Sequence, residues 1–403
     1  MIRRMMGQRV QEAMTDTPVV MVQGPRQCGK STLVRELAPH LPYVSLDDPA
    51  ALDFAHRNPR AFLKAHPDGL ILDEVQRAPD IFRSLKAEVD EDRRPGRFLM
   101  TGSSSLLLLP KLSESLAGRM EVASLWPLAQ AEIGESSGSF VDRAFAGDLP
   151  LAKGEPLDWS RIHRGGFPEP FHRTVESRRR AWFEAYVKAL IERDVRSLSD
   201  IEGLTALPRL LKLLARSVGE TLNVSSLSRE SGIAHTTLNR YIGLLEAVFL
   251  IHPFSAWSSG LSHRTLKAQR VAFVDSGLLI HLLGVDPATL SPEEPLVRGV
   301  LSSWVGMELQ RQGGWSETTM EVVHFRSVRQ YEVPIVMARG DGQIVAIDVT
   351  AESYPSPAGL RPIEFLEQVA GDRLSAGILL TAGPEARRLS EKLWALPYSA
   401  LWA

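Results

Sequence analysis

The sequence predicts a multidomain α/β protein whose N-terminal core is a parallel β-sheet covered by helices. Three observations lead to this prediction. The apolar run at residues 19–22 leads into a glycine-containing loop, and a helical pattern follows that loop. A second apolar run, at residues 70–72, ends in two adjacent acids. The chain has 403 residues, which is too long for one ordinary hydrophobic core.

The loop after the first strand carries the strongest motif in the chain. Residues 24–31 read GPRQCGKS and match G-x-x-x-x-G-K-[ST], the pattern of a phosphate-binding loop. Glycines let the backbone approach a polyphosphate, and the following helix adds positive potential. Lys30 is expected to reach the β- and γ-phosphates of ATP, and Ser31 to ligate Mg²⁺. The predicted nucleotide-binding residues are Gly24, Pro25, Arg26, Gln27, Cys28, Gly29, Lys30, Ser31 and Thr32. The alternative is a glycine-containing turn with a chance Lys-Ser pair.

Cys28, the only cysteine of the chain, lies inside this loop. Loop N–H groups, a helix N-terminus and Lys30 would all favour a reactive thiolate there, provided that the sulfur is accessible. The alternative is an inert thiol packed into the core. The sequence leaves both open.

A second motif, residues 69–74 with the sequence GLILDE, follows about forty residues later. An aliphatic strand that ends in Asp-Glu is the Walker B arrangement, and it places Asp73 beside the phosphate loop. Asp73 is expected to hold Mg²⁺, and Glu74 to polarise the attacking water. Without the loop upstream, a strand that ends at a solvated turn would be the better interpretation.

Two further positions complete the predicted catalytic set. Residues 97–104 form an apolar strand that ends in hydroxyls, and either Thr101 or Ser103 could sense the γ-phosphate. The alternative is a capped turn. Arg119 ends a short predicted helix that starts at Lys111, and it is a candidate arginine finger, in cis or in a neighbouring subunit. It could equally be a surface residue.

Several segments together carry a resemblance to a known family. The segments are GPRQCGKSTL, YVSLDDP, LILDEVQRAPD, LMTGSSS, SLAGRM and WPLAQAE. This combination resembles a prokaryotic family of AAA-type ATPases with a C-terminal domain of unknown function that looks like a restriction endonuclease. The resemblance extends over nearly the whole chain and implies ATP, Mg²⁺ and an additional-strand ATPase core over residues 1–135.

The middle of the chain is predicted to hold a linker and helical segment, residues 136–200, and then a winged helix-turn-helix, residues 201–262. The sequence of residues 224–241 indicates helix, glycine-containing turn and helix. His235, Thr236, Asn239 and Arg240 are expected to face outward on the second helix. Such a face can read DNA, or it can serve as a lid or a surface for a protein partner.

Residues 263–403 are predicted to form a mixed α/β domain. The resemblance implies two triplets, E-V-D and E-x-K, which are like the metal-binding motifs of restriction-type nucleases. This chain departs from both: residues 332–334 read EVP, with Pro334 in place of the acid, and residues 348–350 read DVT, with Thr350 in place of the lysine. The three acids Glu308, Glu332 and Asp348 could still gather around a weak metal. A nuclease fold without hydrolytic activity, serving as a binding or assembly module, is the favoured interpretation.

Composition limits the remaining function classes. The apolar fraction is 44%, the charged fraction 23% and the net charge −2, so nothing indicates a global attraction to nucleic acid. The start of the chain has no leader-like pattern, and the sequence has no stretch of about 18 apolar residues, so we expect a cytoplasmic protein without membrane contact. The predicted function is an ATPase that drives or gates a protein or DNA partner, with homo-oligomers possible. The alternative is a nucleotide-gated DNA-binding protein with negligible turnover, and a third, less favoured interpretation is an active metal-dependent nuclease.

Overall fold

A computed structural model of the protein describes residues 2–105, 116–136, 138–196, 206–258, 269–327 and 331–403. The chain divides into two compact units. The first contains residues 1–127 and 244–250, and the second contains residues 128–243 and 251–403. The sequence predicted a finer division into residues 1–135, 136–200, 201–262 and 263–403, and this division stays a prediction.

The first unit is built on a five-stranded sheet with the order β2-β3-β4-β1-β5. Its strands are β1 (Val19–Gln23), β2 (Tyr43–Ser45), β3 (Leu70–Asp73), β4 (Phe98–Gly102) and β5 (Met120–Ser124). Every pairing in this sheet is parallel, and β4 lies between β1 and β3. This arrangement confirms the parallel-sheet core with an inserted strand.

Helices cover both faces of this sheet. They are α1 (Met6–Met14), α2 (Lys30–Leu37), α3 (Pro49–Arg57), α4 (Pro59–Lys64) and α5 (Ile81–Glu91). Successive β1 residues point to opposite faces. Val19 and Met21 therefore belong to one apolar cluster, and Val20 and Val22 belong to another. The predicted helix at residues 111–119 lies partly outside the described residues, because 111–115 are not among them.

The second unit contains the remaining helices, except that residues 244–247 at the end of α13 belong to the first unit. These helices are α6 (Gln130–Ile133), α7 (Phe140–Ala146), α8 (Trp159–Arg164), α9 (Pro168–Phe171), α10 (Glu176–Ala189), α11 (Leu207–Arg216), α12 (Val224–Ser231), α13 (His235–Ala247), α14 (Ser276–Leu283), α15 (Pro295–Gly313) and α16 (Pro357–Ala370). The residues Leu190–Val195 continue α10 as a π-helix. Short 3₁₀ turns occur at Val75–Arg77 in the first unit and at Pro287–Thr289, Gly371–Arg373 and Tyr398–Trp402 in the second unit.

Helices α12 and α13 form the helix-turn-helix that the sequence indicated. The Asn223 side chain caps α12 by accepting from Ser226 N, and Gly232 ends it with a left-handed φ of 75°. The four residues expected to face outward are exposed: His235, Thr236, Asn239 and Arg240. Two antiparallel strands follow, β6 (Ile251–Phe254) and β7 (Arg270–Phe273). The winged-helix assignment itself stays a prediction.

A six-stranded mixed sheet forms the rest of the second unit, with the order β12-β13-β11-β10-β9-β8. Its strands are β8 (Met320–Arg326), β9 (Glu332–Arg339), β10 (Ile344–Val349), β11 (Leu374–Thr381), β12 (Arg387–Arg388) and β13 (Leu393–Pro397). Strand β10 is antiparallel to β9 and parallel to β11. The mixed α/β character predicted for this region is therefore confirmed. Within the described residues, no helix has the combined length and apolarity that crossing a membrane requires.

Candidate functional site

The loop between β1 and α2 has a backbone that only glycine can supply at two positions. Gly24 has a φ of +153°, and a Cβ added there would lie 2.0 Å from the carbonyl oxygen of Leu125. Gly29 has a φ of 100° and directly precedes α2 as its N-cap. The loop therefore wraps tightly at the N-terminus of α2, which is the geometry that binds phosphate.

Lys30 lies against the inner side of this loop. Its Nζ donates to the carbonyl oxygen of Gly24 at 3.0 Å and to that of Pro25 at 2.9 Å, and the residue is 4% exposed. The ammonium group is thus held where the loop's concave face would meet a polyphosphate. Its two bonds are to neutral carbonyls, and charged phosphate oxygens would be stronger acceptors.

The carboxyl ends of β1 and β3 bring Ser31 and Asp73 together. Ser31 Oγ donates to Asp73 Oδ1 at 2.8 Å, although the two residues are 42 positions apart. A hydroxyl and a carboxylate at this spacing are hard oxygen donors of the kind that Mg²⁺ takes together with phosphate oxygens and water. The pair therefore fits the metal that the motif implies.

Two other hydroxyls also bind Asp73. Tyr43 OH donates to Oδ2 at 2.7 Å, and Thr101 Oγ1 donates to Oδ1. Burial raises the pKa of Tyr43 to about 12, and the hydrogen bond to Asp73 adds to that rise. The carboxylate is thereby oriented from three sides before any metal arrives.

Glu74 follows β3 in a left-handed conformation, with a φ of 60° and a ψ of 43°. Its backbone N donates to Thr101 Oγ1 at 3.1 Å, and its carboxylate accepts from Ser103 Oγ at 2.9 Å and from Gln76 Nε2. A non-glycine residue in this region is strained and clusters at functional sites. The Glu74 side chain is therefore held by Gln76, in the 3₁₀ turn after β3, and by Ser103, which directly follows β4.

The two sensor candidates have different partners. Thr101 bonds to Asp73 and to the backbone of Glu74, whereas Ser103 bonds to the Glu74 carboxylate and to Gln76. Both lie at the carboxyl end of β4, as the sequence suggested. Which of them senses a γ-phosphate stays a prediction.

Arg119 lies at the amino ends of the strands, opposite to the ends that the phosphate loop follows. It directly precedes β5, and its carbonyl accepts from Val19 N at the start of β1. Its guanidinium binds Asp90 at 2.6 and 3.1 Å. The phosphate loop starts after β1 ends, so the five residues of β1 separate the two, roughly 15 Å at strand spacing. This placement does not support an in-cis role for Arg119, and both roles, in cis and in a neighbouring subunit, stay predictions.

The remaining loop residues differ in exposure. Pro25 is buried, Arg26 is half-buried, and Gln27 and Thr32 are exposed. Cys28 is 0% exposed, and its Sγ donates to the carbonyl oxygen of Leu125 at 3.2 Å. Burial raises the pKa of this thiol, which outweighs the lowering by Lys30 and Arg4. The reactive-thiolate hypothesis is contradicted, because the sulfur is fully buried and the pKa of the thiol is raised rather than lowered.

Three site residues were missed by the sequence reasoning. Tyr43 and Gln76 bind the two acids directly. Arg4 donates to the carbonyl oxygens of Cys28 at 2.7 Å and Trp126 at 2.6 Å, which ties the N-terminal segment to the loop. Gln76 offered a signal, since it follows Glu74 by two residues. No local pattern marks Arg4.

The three C-terminal acids do not gather around a metal position. Glu308 is fully buried and accepts from the backbone N of Gln130 at 2.8 Å and of Ala131 at 3.1 Å. Asp348 is bound by Arg298 at 2.8 Å, and Glu332 by Arg326 at 2.9 Å. No cluster of three or more His, Cys, Asp or Glu that could hold a metal occurs among the described residues. The expectation of a weak metal there is therefore wrong for these three acids.

Comparisons with known proteins support the assignment of the first unit as an AAA-type core. Residues 16–134 match a family model described as an AAA domain. This AAA-matching region contains the phosphate loop, Asp73, Glu74 and both sensor candidates. Residues 159–289 and 299–401 match two further family models, each described only as a domain of unknown function. The nuclease-like resemblance of the C-terminal domain therefore stays a prediction.

Two curated relatives extend the similarity beyond the AAA-matching region. An uncharacterized protein of Mycobacterium tuberculosis is 30% identical over 310 residues, which is 77% of this chain. An uncharacterized protein of Mycobacterium bovis matches equally well. The aligned part of this chain spans 65% of the length of these relatives.

Solved structures show weaker likeness. A Walker-type ATPase of Pyrococcus abyssi has a TM-score of 0.41 at 14% identity, covering 70% of this chain and 96% of that chain. A RuvB mutant of Thermotoga maritima has a TM-score of 0.30 at 19% identity, covering 66% and 89%. DnaA of Aquifex aeolicus, bound to AMPPCP, has a TM-score of 0.28 at 16% identity, covering 59% and 86%. These scores are too low to carry any function over.

Proposed function

We propose that this protein binds ATP with Mg²⁺ at the loop of residues 24–31 and hydrolyses it. The proposal rests on one observation: Lys30, Ser31, Asp73 and Glu74 lie together at the carboxyl ends of the parallel strands. Ser31 Oγ lies 2.8 Å from Asp73 Oδ1, and this proximity supports a shared role of the two side chains in holding Mg²⁺. The family match over residues 16–134 supports the same function.

Each residue has a role that follows from its position. Lys30 exchanges its two carbonyl partners for phosphate oxygens, and the loop N–H groups bind the same anion. Ser31 and Asp73 hold Mg²⁺, which when bound neutralises charge on the phosphates. Glu74 orients the attacking water and accepts its proton, after its carboxylate releases Ser103 or Gln76.

Binding is tested by thermal stability with MgATP. A ligand that binds only the folded state at 100 times its Kd adds about 2.7 kcal/mol to the free energy of unfolding. Lys30→Ala is expected to abolish this stabilisation. Lys86→Ala, an exposed lysine on α5, is the matched control and is expected to keep it. An equal MgATP shift in the Lys30→Ala protein would show that the loop is not the site.

Turnover is tested separately by phosphate release. Glu74→Gln keeps the size of the side chain and removes the base, so the protein is expected to bind MgATP but release phosphate roughly a hundredfold more slowly. Phosphate release at the wild-type rate in Glu74→Gln would mean that another group orients the water.

A second candidate is a nucleotide-gated DNA-binding protein with negligible turnover. The exposed residues of α13, His235, Thr236, Asn239 and Arg240, favour it, because a helix after a tight turn can enter a major groove. Nucleotide-dependent DNA binding without phosphate release above the Lys30→Ala level would select this candidate. ATP turnover without DNA binding at low salt would favour a protein partner or a second copy of the chain instead.

A further inference from the structure

A pocket of about 520 Å³ lies in the second unit, away from the phosphate loop in sequence. Four arginines line it: Arg216, Arg270, Arg298 and Arg326. Its volume falls in the range of small-molecule sites. Nothing in the proposed ATPase function uses this pocket.

Arg270 is the decisive side chain. It is 7% exposed, and its carboxylate contact among the described residues, Nη2 to Glu332 Oε2, is long at 3.5 Å. Within the same described part of the chain, its Nε and Nη1 have no hydrogen-bond partner. Burial lowers the pKa of Arg270 to about 10, so the group stays charged at neutral pH. Buried donors without acceptors are unfavourable and rare in folded proteins.

The neighbouring acids do not balance this charge. Asp348 is occupied by Arg298, whose Nη2 lies 2.8 Å from both carboxylate oxygens. Glu332 is shared, since Arg326 Nε binds its Oε1 at 2.9 Å. Three guanidinium groups therefore face two carboxylates, and Arg270 has the weakest contact.

Other groups around the pocket set its polarity. The first turn of the 19-residue helix α15 lines the wall, and the N-terminus of such a helix attracts anions. The guanidinium of Arg216 makes no hydrogen bond or ion pair within the described parts of the chain, and it is exposed. Glu220 and Glu293 also line the pocket, but they are exposed, so water screens their charge more than that of Arg270.

We propose that this pocket binds a small phosphate-bearing ligand, with Arg270 as the anchor for the phosphate group. A guanidinium presents two parallel donors that match phosphate oxygens. The buried position of Arg270 favours a compact ligand over a polymer, because the internal phosphates of a nucleic acid backbone need exposed cations. The exposed carboxylates would then accept hydrogen bonds from hydroxyl groups of the same ligand.

The test uses the full chain with Lys30→Ala, so that the phosphate loop does not take up the probe. Inorganic phosphate and pyrophosphate are titrated at constant ionic strength by calorimetry. The Lys30→Ala protein is expected to bind at least one of the two probes, and adding Arg270→Met is expected to weaken that binding at least tenfold. Arg361→Met, at an exposed position on α16 that does not line the pocket, is the matched control and should change nothing.

A second variant guards against misfolding of Arg270→Met. Arg216→Gln changes an exposed residue at the pocket and is expected to weaken binding about threefold while the thermal midpoint stays unchanged. The proposal is overturned if no heat is measured with millimolar phosphate or pyrophosphate, or if binding is equal with and without Arg270. Arg270-dependent binding of a 5′-phosphorylated oligonucleotide, but of neither small anion, would also overturn it in favour of a nucleic acid end.

Discussion

Glu308 offers a quantitative test of what the C-terminal acids do. Its buried carboxylate accepts from the backbone N of Gln130 at 2.8 Å, from Ala131 N at 3.1 Å and from Gln312 Nε2 at 3.1 Å. Arg311 Nη1 lies 3.7 Å away. Glu308→Ala removes the acceptor for all three donors, and each unpaired buried donor costs about 1–3 kcal/mol. With partial relaxation, we expect a loss of about 3–5 kcal/mol in the free energy of unfolding.

Urea unfolding followed by tryptophan fluorescence measures this loss, because the buried Trp304 lies on the same helix as Glu308. Hydrogen exchange of the amides at Gln130 and Ala131 shows whether the loss of stability is centred on the two amides that donate to Glu308. Glu364→Ala, an exposed glutamate on α16, is the matched control and is expected to change stability little. A Glu308→Ala protein within about 0.5 kcal/mol of that control would refute the assignment of Glu308 as a structural cap. Stabilisation of wild type by Mg²⁺ that Glu308→Ala abolishes would refute it too.

Two other predictions concern the ATP site and pH. Asp73→Asn keeps an acceptor for Ser31 and Thr101, so the free protein should lose only about 1–2 kcal/mol of stability. Scanning fluorimetry should show no added stabilisation by MgATP over ATP with EDTA. Burial lowers the pKa of His252 from 6.5 to about 4, so the unfolded chain takes up the proton more readily. Stability from this group is fully present above pH 6.5 and falls by about 3 kcal/mol on acidification to pH 4, so the loss of stability measured by urea titrations should be smaller by about that amount in His252→Leu.

The candidate phosphate site could be predicted because the residues that form it are local in sequence. The run from Gly24 to Ser31 carries its own turn, charge and hydroxyl, and β3 ends in Asp73 and Glu74. The carboxyl ends of parallel strands lie on the same side of a sheet. With the strand order of this sheet, the two motifs therefore lie close together.

Other features depend on contacts that no local pattern shows. The position of Arg119 depends on β5, a strand that the sequence reasoning did not predict, and on its register with β1. Asp348 meets Arg298 across 50 residues. Strands β11 and β13 were likewise not predicted, since short apolar runs do not reveal whether they are strands or buried helices.

The burial of Cys28 makes this chain convenient for spectroscopic labelling. Its thiol is enclosed and donates to the carbonyl oxygen of Leu125, so it should be inert to maleimide in the folded protein. A cysteine introduced at an exposed position, such as Gln27 at the loop or Asn239 on α13, would then be the single reactive thiol. A fluorophore or spin label could therefore be placed at either position without first removing the native cysteine, and its signal could be followed as nucleotide is added.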